Sequence, residues 1–113
     1  MNNEEIIEEL NKLGYNRKNK DYYIENGTIC GQNYIDKTLN HSILSKCKIE
    51  NVIFDNASLT GSIFRTCKFS NCSIIQTDFE FCCFNDCYLK SKSKITASFN
   101  NTNFINTEFE DLD

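Results

Sequence analysis

Seven cysteines and one histidine are the side chains of this 113-residue sequence with the most chemistry to offer. Zinc would need cysteines paired at short spacing, facing a second pair or a histidine. Cys30, Cys47, Cys67, Cys72, Cys82, Cys83 and Cys87 include no two cysteines separated by two residues, and His41 stands apart from them. Neither a metal nor any other cofactor is expected. Acyl transfer would need a nucleophile beside a base, and nothing around His41 suggests one. Asp78 and Glu80 flank Phe79, so both carboxylates should point outward, where no pocket would raise a pKa or exclude water. The four glycines, Gly14, Gly27, Gly31 and Gly61, are too scattered to form a phosphate loop. The chain is expected not to be an enzyme.

The cysteines belong to a wider pattern. From Leu39 to Phe109 every fifth residue is apolar, with Lys94 the one exception. Two positions before each of these apolar residues from Leu44 on lies a small or compact residue, as at Ser42, Val52, Ala57, Ser62 and Thr77. Cys47, Cys67, Cys72, Cys82 and Cys87 all fall in this second register. A five-residue period fits neither a helix nor a flat strand.

Units such as 57–61 (ASLTG), 67–71 (CKFSN) and 97–101 (ASFNN) give the chain a double register that resembles the pentapeptide-repeat family. Weaker units extend the resemblance back through Ile24, Ile29 and Tyr34, to roughly four-fifths of the chain. It implies an all-β fold, a right-handed quadrilateral β-helix in which four pentapeptides make one square coil. Residues 24–113 would then form a solenoid of about four and a half coils, and at a strand spacing of ~4.8 Å a rod of roughly 20 Å. Residues 20 apart should share a column, and they match in kind: Leu39, Leu59, Phe79, Phe99; Ile24, Leu44, Phe64, Phe84, Phe104; Ile29, Ile49, Phe69, Leu89, Phe109; Tyr34, Phe54, Ile74, Lys94.

Within that geometry Cys47, Cys67 and Cys87 form one ladder, where a reduced cysteine packs as a small hydrophobe. Cys30 and Cys83 fall outside the inward slots and are the candidates for reactive thiols. Lys92 and Lys94 occupy the small and large slots of one unit, and neither can be buried uncompensated. The register resumes at Ala97 and Phe99, so residues 91–95 are expected to bulge outward, with Ile95 turned in as a substitute. Lys90, Lys92 and Lys94 would form a basic knob, either a docking point for a partner or the mark of a degenerate repeat.

Residues 1–23 differ in kind. Asn3 can cap a short helix with Glu4 and Glu5 in its first turn, an apolar side of Ile6, Ile7, Leu10 and Leu13, and Gly14 at its end. So short a helix is marginal alone, and it is expected to cap the amino-terminal end of the solenoid, with a partner-binding or swapped helix as the alternative. At the other end Phe99, Phe104 and Phe109 should lie near an open edge. Either two chains pack end to end as a homodimer about a two-fold axis, as in the family's gyrase-directed members, or Leu112 folds over the end as a plug.

No apolar run approaches the ~20 residues needed to span a bilayer, and the acidic, amphipathic amino terminus is unlike a signal peptide. A cytoplasmic protein without a membrane partner is expected. The lack of Pro and Trp and the wealth of Asn, Ile and Lys suit an AT-rich bacterial genome. Two functions follow from the resemblance. One is a non-catalytic scaffold that binds an unidentified protein partner through its outward side chains. The other is a DNA mimic that occupies the DNA site of a type II topoisomerase such as gyrase. Duplex DNA carries about one charge per 1.7 Å, against which a net charge of −4 is sparse. The same acidic balance makes direct nucleic-acid binding unexpected.

Overall fold

A computed structural model describes residues 22–110, and these coil without any helix. The first coils carry β1 (Tyr22–Glu25), β2 (Thr28–Cys30), β3 (Ser42–Ser45), β4 (Lys48–Glu50) and β5 (Ile63–Arg65). There follow β6 (Lys68–Cys72), β7 (Ile75–Asp78), β8 (Cys83–Asn85), β9 (Tyr88–Ser91), β10 (Thr96–Ser98), β11 (Asn103–Ile105) and β12 (Glu108–Glu110). The amino-terminal helix and Leu112 lie outside the described residues.

Every pairing is parallel, and all but two, Cys72 with Ser91 and Ile75 with Thr96, join residues 20 apart, as in Leu44 with Phe64 and Ile49 with Phe69. The sheet β1-β3-β5-β8-β11 forms one side and β2-β4-β6-β9-β12 the next. Isolated bridges at Asn33, Ile53 and Ser73, and at Thr38, Ser58 and Asp78, together with the strand pair β7-β10, carry the two remaining sides. Short strands that turn a corner every five residues leave no room for longer ladders.

The expected columns form the core. Ile49, Phe64, Phe69, Ile74, Phe79, Phe84 and Leu89 are all fully buried. Phe64 stacks on Phe84 with centroids 4.7 Å apart, and Phe84 also meets Phe79 edge-on at 5.4 Å. Such ring pairs add about 0.5–1.5 kcal/mol each beyond the burial of their area, which suits a narrow coil with no second layer.

The corners reveal a third register. Every fifth residue from Asn26 to Asp86, and again Asn101 and Asn106, has a positive φ. Backbone bonds such as Ala57 N–H to Phe54 O at 3.0 Å close four-residue turns, whose third residue must enter the left-handed region. Asn, Asp and Gly tolerate that conformation best, which explains their recurrence at this spacing. At Gly61 (φ 74°) the imidazole of His41 lies 2.8 Å from where a β-carbon would sit. His41 is thus an exposed cover over a corner of the coil.

The small slots do more than fill space. The thiols of Cys67, Cys72, Cys82 and Cys87 each donate to a backbone carbonyl 23 residues earlier, at 3.0–3.4 Å. Thr77 and Thr107 use their hydroxyls in the same way. Packing as a small hydrophobe therefore accounts for only part of the cysteine preference; the slot also rewards a short side chain with a donor at Sγ or Oγ.

Candidate interaction surfaces

The expected basic knob arises from a slip in the coil. Leu89 pairs with Phe69 in the regular register, but the next pairing is Ser91 with Cys72, one residue early. Beyond it Thr96 pairs with Ile75, one residue late, and regular pairing returns with Ala97 opposite Thr77. Ser91, fully buried, thus stands in the slot meant for Lys92. Ile95 packs against the core in place of Lys94. Positive φ is missing only at positions 91 and 96 of the corner series, as a displaced register requires.

The bulge is therefore narrower than the sequence suggested. Ser91 is part of the core, and only Lys92, Ser93 and Lys94 are extruded, with the Ser91 hydroxyl donating to the Ser93 carbonyl across the base of the loop. A lysine ammonium cannot be buried unpaired, so two opposite one-residue slips expose both ammonium groups while serine and isoleucine keep the core filled. Lys90 is exposed on β9, and its ammonium lies 4.0 Å from Glu110. The Tyr88 hydroxyl donates to the same carboxylate, which raises the tyrosine's pKa.

Beside the slip, Lys68, Ser70, Asn71, Tyr88, Lys90 and Ser91 line an open depression of about 370 Å³. Lys68 was not singled out from the sequence, nor was Lys48, which pairs with it in register on the same side. Outward positions 20 apart in the sequence, like inward ones, identify both.

Phe99, Phe104 and Phe109 come together at the carboxy-terminal end. Their centroids are 5.2–5.5 Å apart in edge-on contacts. Phe104 and Phe109 remain 41% and 40% exposed, and Ile105 61%. Phe81 is a further exposed apolar residue, at 60%, and it sits at a corner with φ 56°.

The two thiols outside the inward slots differ: Cys30 is exposed and Cys83 half-buried. Burial pushes the Cys82 thiol up to about 11. The Cys67 thiol, stacked between Cys47 and Cys87 and buried as well, is also raised. Among the described residues no group of His, Cys, Asp and Glu side chains could hold a metal, and no helix is long and apolar enough to cross a membrane.

Parallel coils stacked on columns of rings, with strands too short to form a sandwich, define a β-solenoid of about four turns. A family model for pentapeptide repeats matches residues 38–71 and 53–90, with eight copies, and the chain is a pentapeptide-repeat protein. The match ends at Lys90, one residue before the slip. Comparison with curated proteins gave no match.

Proposed function

We propose that the protein is a non-catalytic interaction scaffold, with the extruded loop at Lys92–Lys94 as a docking point for a protein partner and the ring cluster at the carboxy-terminal end as a surface for self-association. The slip carries the first part. A worn repeat would leave a gap or a strained lysine, whereas here Ser91 and Ile95 complete the core while the lysines stand free of it. The second part rests on the exposure of Phe104, Phe109 and Ile105, since apolar side chains grouped at one end gain from mutual burial. A homodimer about a two-fold axis would bring these rings together.

Light scattering on a sizing column, under reducing conditions and across protein concentrations, tests the self-association. A dimer that Phe104→Glu converts to monomer supports it, and a monomer at every concentration removes it. The DNA-mimic reading has less support, because the described acidic residues are interspersed with cations that no phosphate array contains. A gyrase supercoiling assay tests it, with absence of inhibition as the expected result.

A further inference from the structure

The two ends of the solenoid differ in how well they are covered. Ile24, Ile29, Tyr34 and Leu39 make the inward ring of the first coil, and no described residue precedes that coil. They are nevertheless only 2–6% exposed, no more than Leu44 at 6% in the second coil. In the last coil Phe104 and Phe109, beyond which no further coil stacks among the described residues, are 41% and 40% exposed. A terminal ring left open shows the larger figure, so the first ring is covered from outside the coils.

The rim of the first coil is unlike that of a coil built to receive another. Its inward small slots include Gln32 and Lys37, both half-buried. The next two coils place Val52 and Cys72, then Ala57 and Thr77, in the same columns, and all four are buried. A second copy stacked on this end would enclose the Lys37 ammonium, which cannot be buried unpaired. An apolar centre with a polar rim fits instead a cover that is apolar on one side alone. Residues 1–21, which lead into β1, contain such a segment. Ile6, Ile7, Leu10 and Leu13 fall on one side at helical spacing, with Glu8 and Lys12 on the other. Residues 15–21 can span up to about 24 Å, against roughly 16 Å for the five residues of one side of a coil, so the segment can reach the whole mouth.

We propose that residues 3–14 lie across the amino-terminal mouth of their own chain, with Ile6, Ile7, Leu10 and Leu13 against the first ring and Lys37 left in water at the rim. The cover makes the two ends of the solenoid unequal. The apolar side of the segment is engaged within the chain and is not a hook for a partner, and the ring that remains open belongs to the carboxy-terminal end. The inference concerns the first coil and stands apart from the scaffold reading.

The test is methyl nuclear magnetic resonance of the full chain, labelled at Ile and Leu. Cross-relaxation between Leu10 or Leu13 and Ile24 or Ile29 is expected. A mixture of chains labelled at Ile alone and chains labelled at Leu alone should lose these contacts, since each segment covers its own chain. Hydrogen exchange gives a second readout. Ile7→Glu with Leu10→Glu should quicken exchange in β1 and β2 by about tenfold or more and leave β8 and β9 within about twofold. Glu8→Ser with Lys12→Ser, on the polar side of the segment, should change neither. No contact between the segment and the first ring, contacts that persist in the mixture, or exchange in β1 and β2 unmoved by the Ile7 and Leu10 changes would overturn the proposal. The methyl contacts are read on the unaltered chain, so they decide the matter even if the double variant unfolds.

Discussion

The Cys82 thiol donates a 3.0 Å hydrogen bond to the backbone carbonyl of Leu59, 23 residues earlier in the chain. The bond joins one coil to the next at the corner, where the strand ladders are interrupted. Cys, Ser and Thr share this slot because each is small and carries a donor one atom beyond Cβ. Ala57 and Val52 fill it without a donor.

Cys82→Thr should therefore hold stability within about 1 kcal/mol, the hydroxyl replacing the thiol as Thr77 does toward Phe54. Cys82→Ala should cost about 1–2 kcal/mol, from the lost thiol bond to the Leu59 carbonyl, which keeps the Ser62 N–H as its one donor, and from a small cavity. Urea denaturation of both variants checks this, and equal losses would refute the role of the donor.

Alkaline pH should weaken the fold through the same residue. Its pKa rises on folding from an ordinary 9.0 to about 11, because burial disfavours the thiolate. A raised acid stabilises the folded state fully below its unfolded pKa and loses that contribution as pH climbs to the folded one. Thermal melts should fall between pH 9 and 11, and Cys82→Thr should flatten the decline.

Phe84 stacks on Phe64 below and Phe104 above, at 4.7 and 5.4 Å. Phe84→Ala should cost about 3–5 kcal/mol. The sequence alone makes Asn71→Ala nearly free, but Asn71 occupies a corner with φ 51°, so that change should cost about 1 kcal/mol. Equilibrium unfolding of the two variants should rank them in this order.

Phe81 combines a left-handed backbone with a mostly exposed ring. Phe81→Asn should raise stability by about 1 kcal/mol, since asparagine accepts that conformation more readily. A lower melting temperature would show that the ring makes a contact worth more than the strain.

The slip predicts an inversion of roles between neighbours. Ile95→Ala should destabilise by about 1–2 kcal/mol, because Ile95 stands in the core position. Lys94→Ala should change stability by less than about 0.5 kcal/mol, as expected of an exposed loop residue. The opposite ranking would place the lysine stem in the core.

The inward pattern was legible because each pentapeptide repeats one local geometry, so residue type at a fixed spacing reports burial directly. Leu39, Phe64 and Phe84 could be assigned to columns without coordinates, and the extrusion of Lys92 and Lys94 followed from the cost of burying an ammonium. The substitution of Ser91 for Lys92 could not be read in this way. Two compensating slips leave the residue count unchanged, and only the pairings with Cys72 and Ile75 distinguish them from a simple bulge.

The corner register was present in the sequence as well, but Lys46, Thr66 and Phe81 among the asparagines disguise it. Amino-acid order carried the period, the columns and the point at which the repeat breaks, since these depend on what each residue can tolerate within its own five. The Cys82–Leu59 bond and the filling of the slip depend instead on which residues stacking brings together from one coil to the next. Such relationships form only when the coils close on one another, because nothing local to either residue specifies the other.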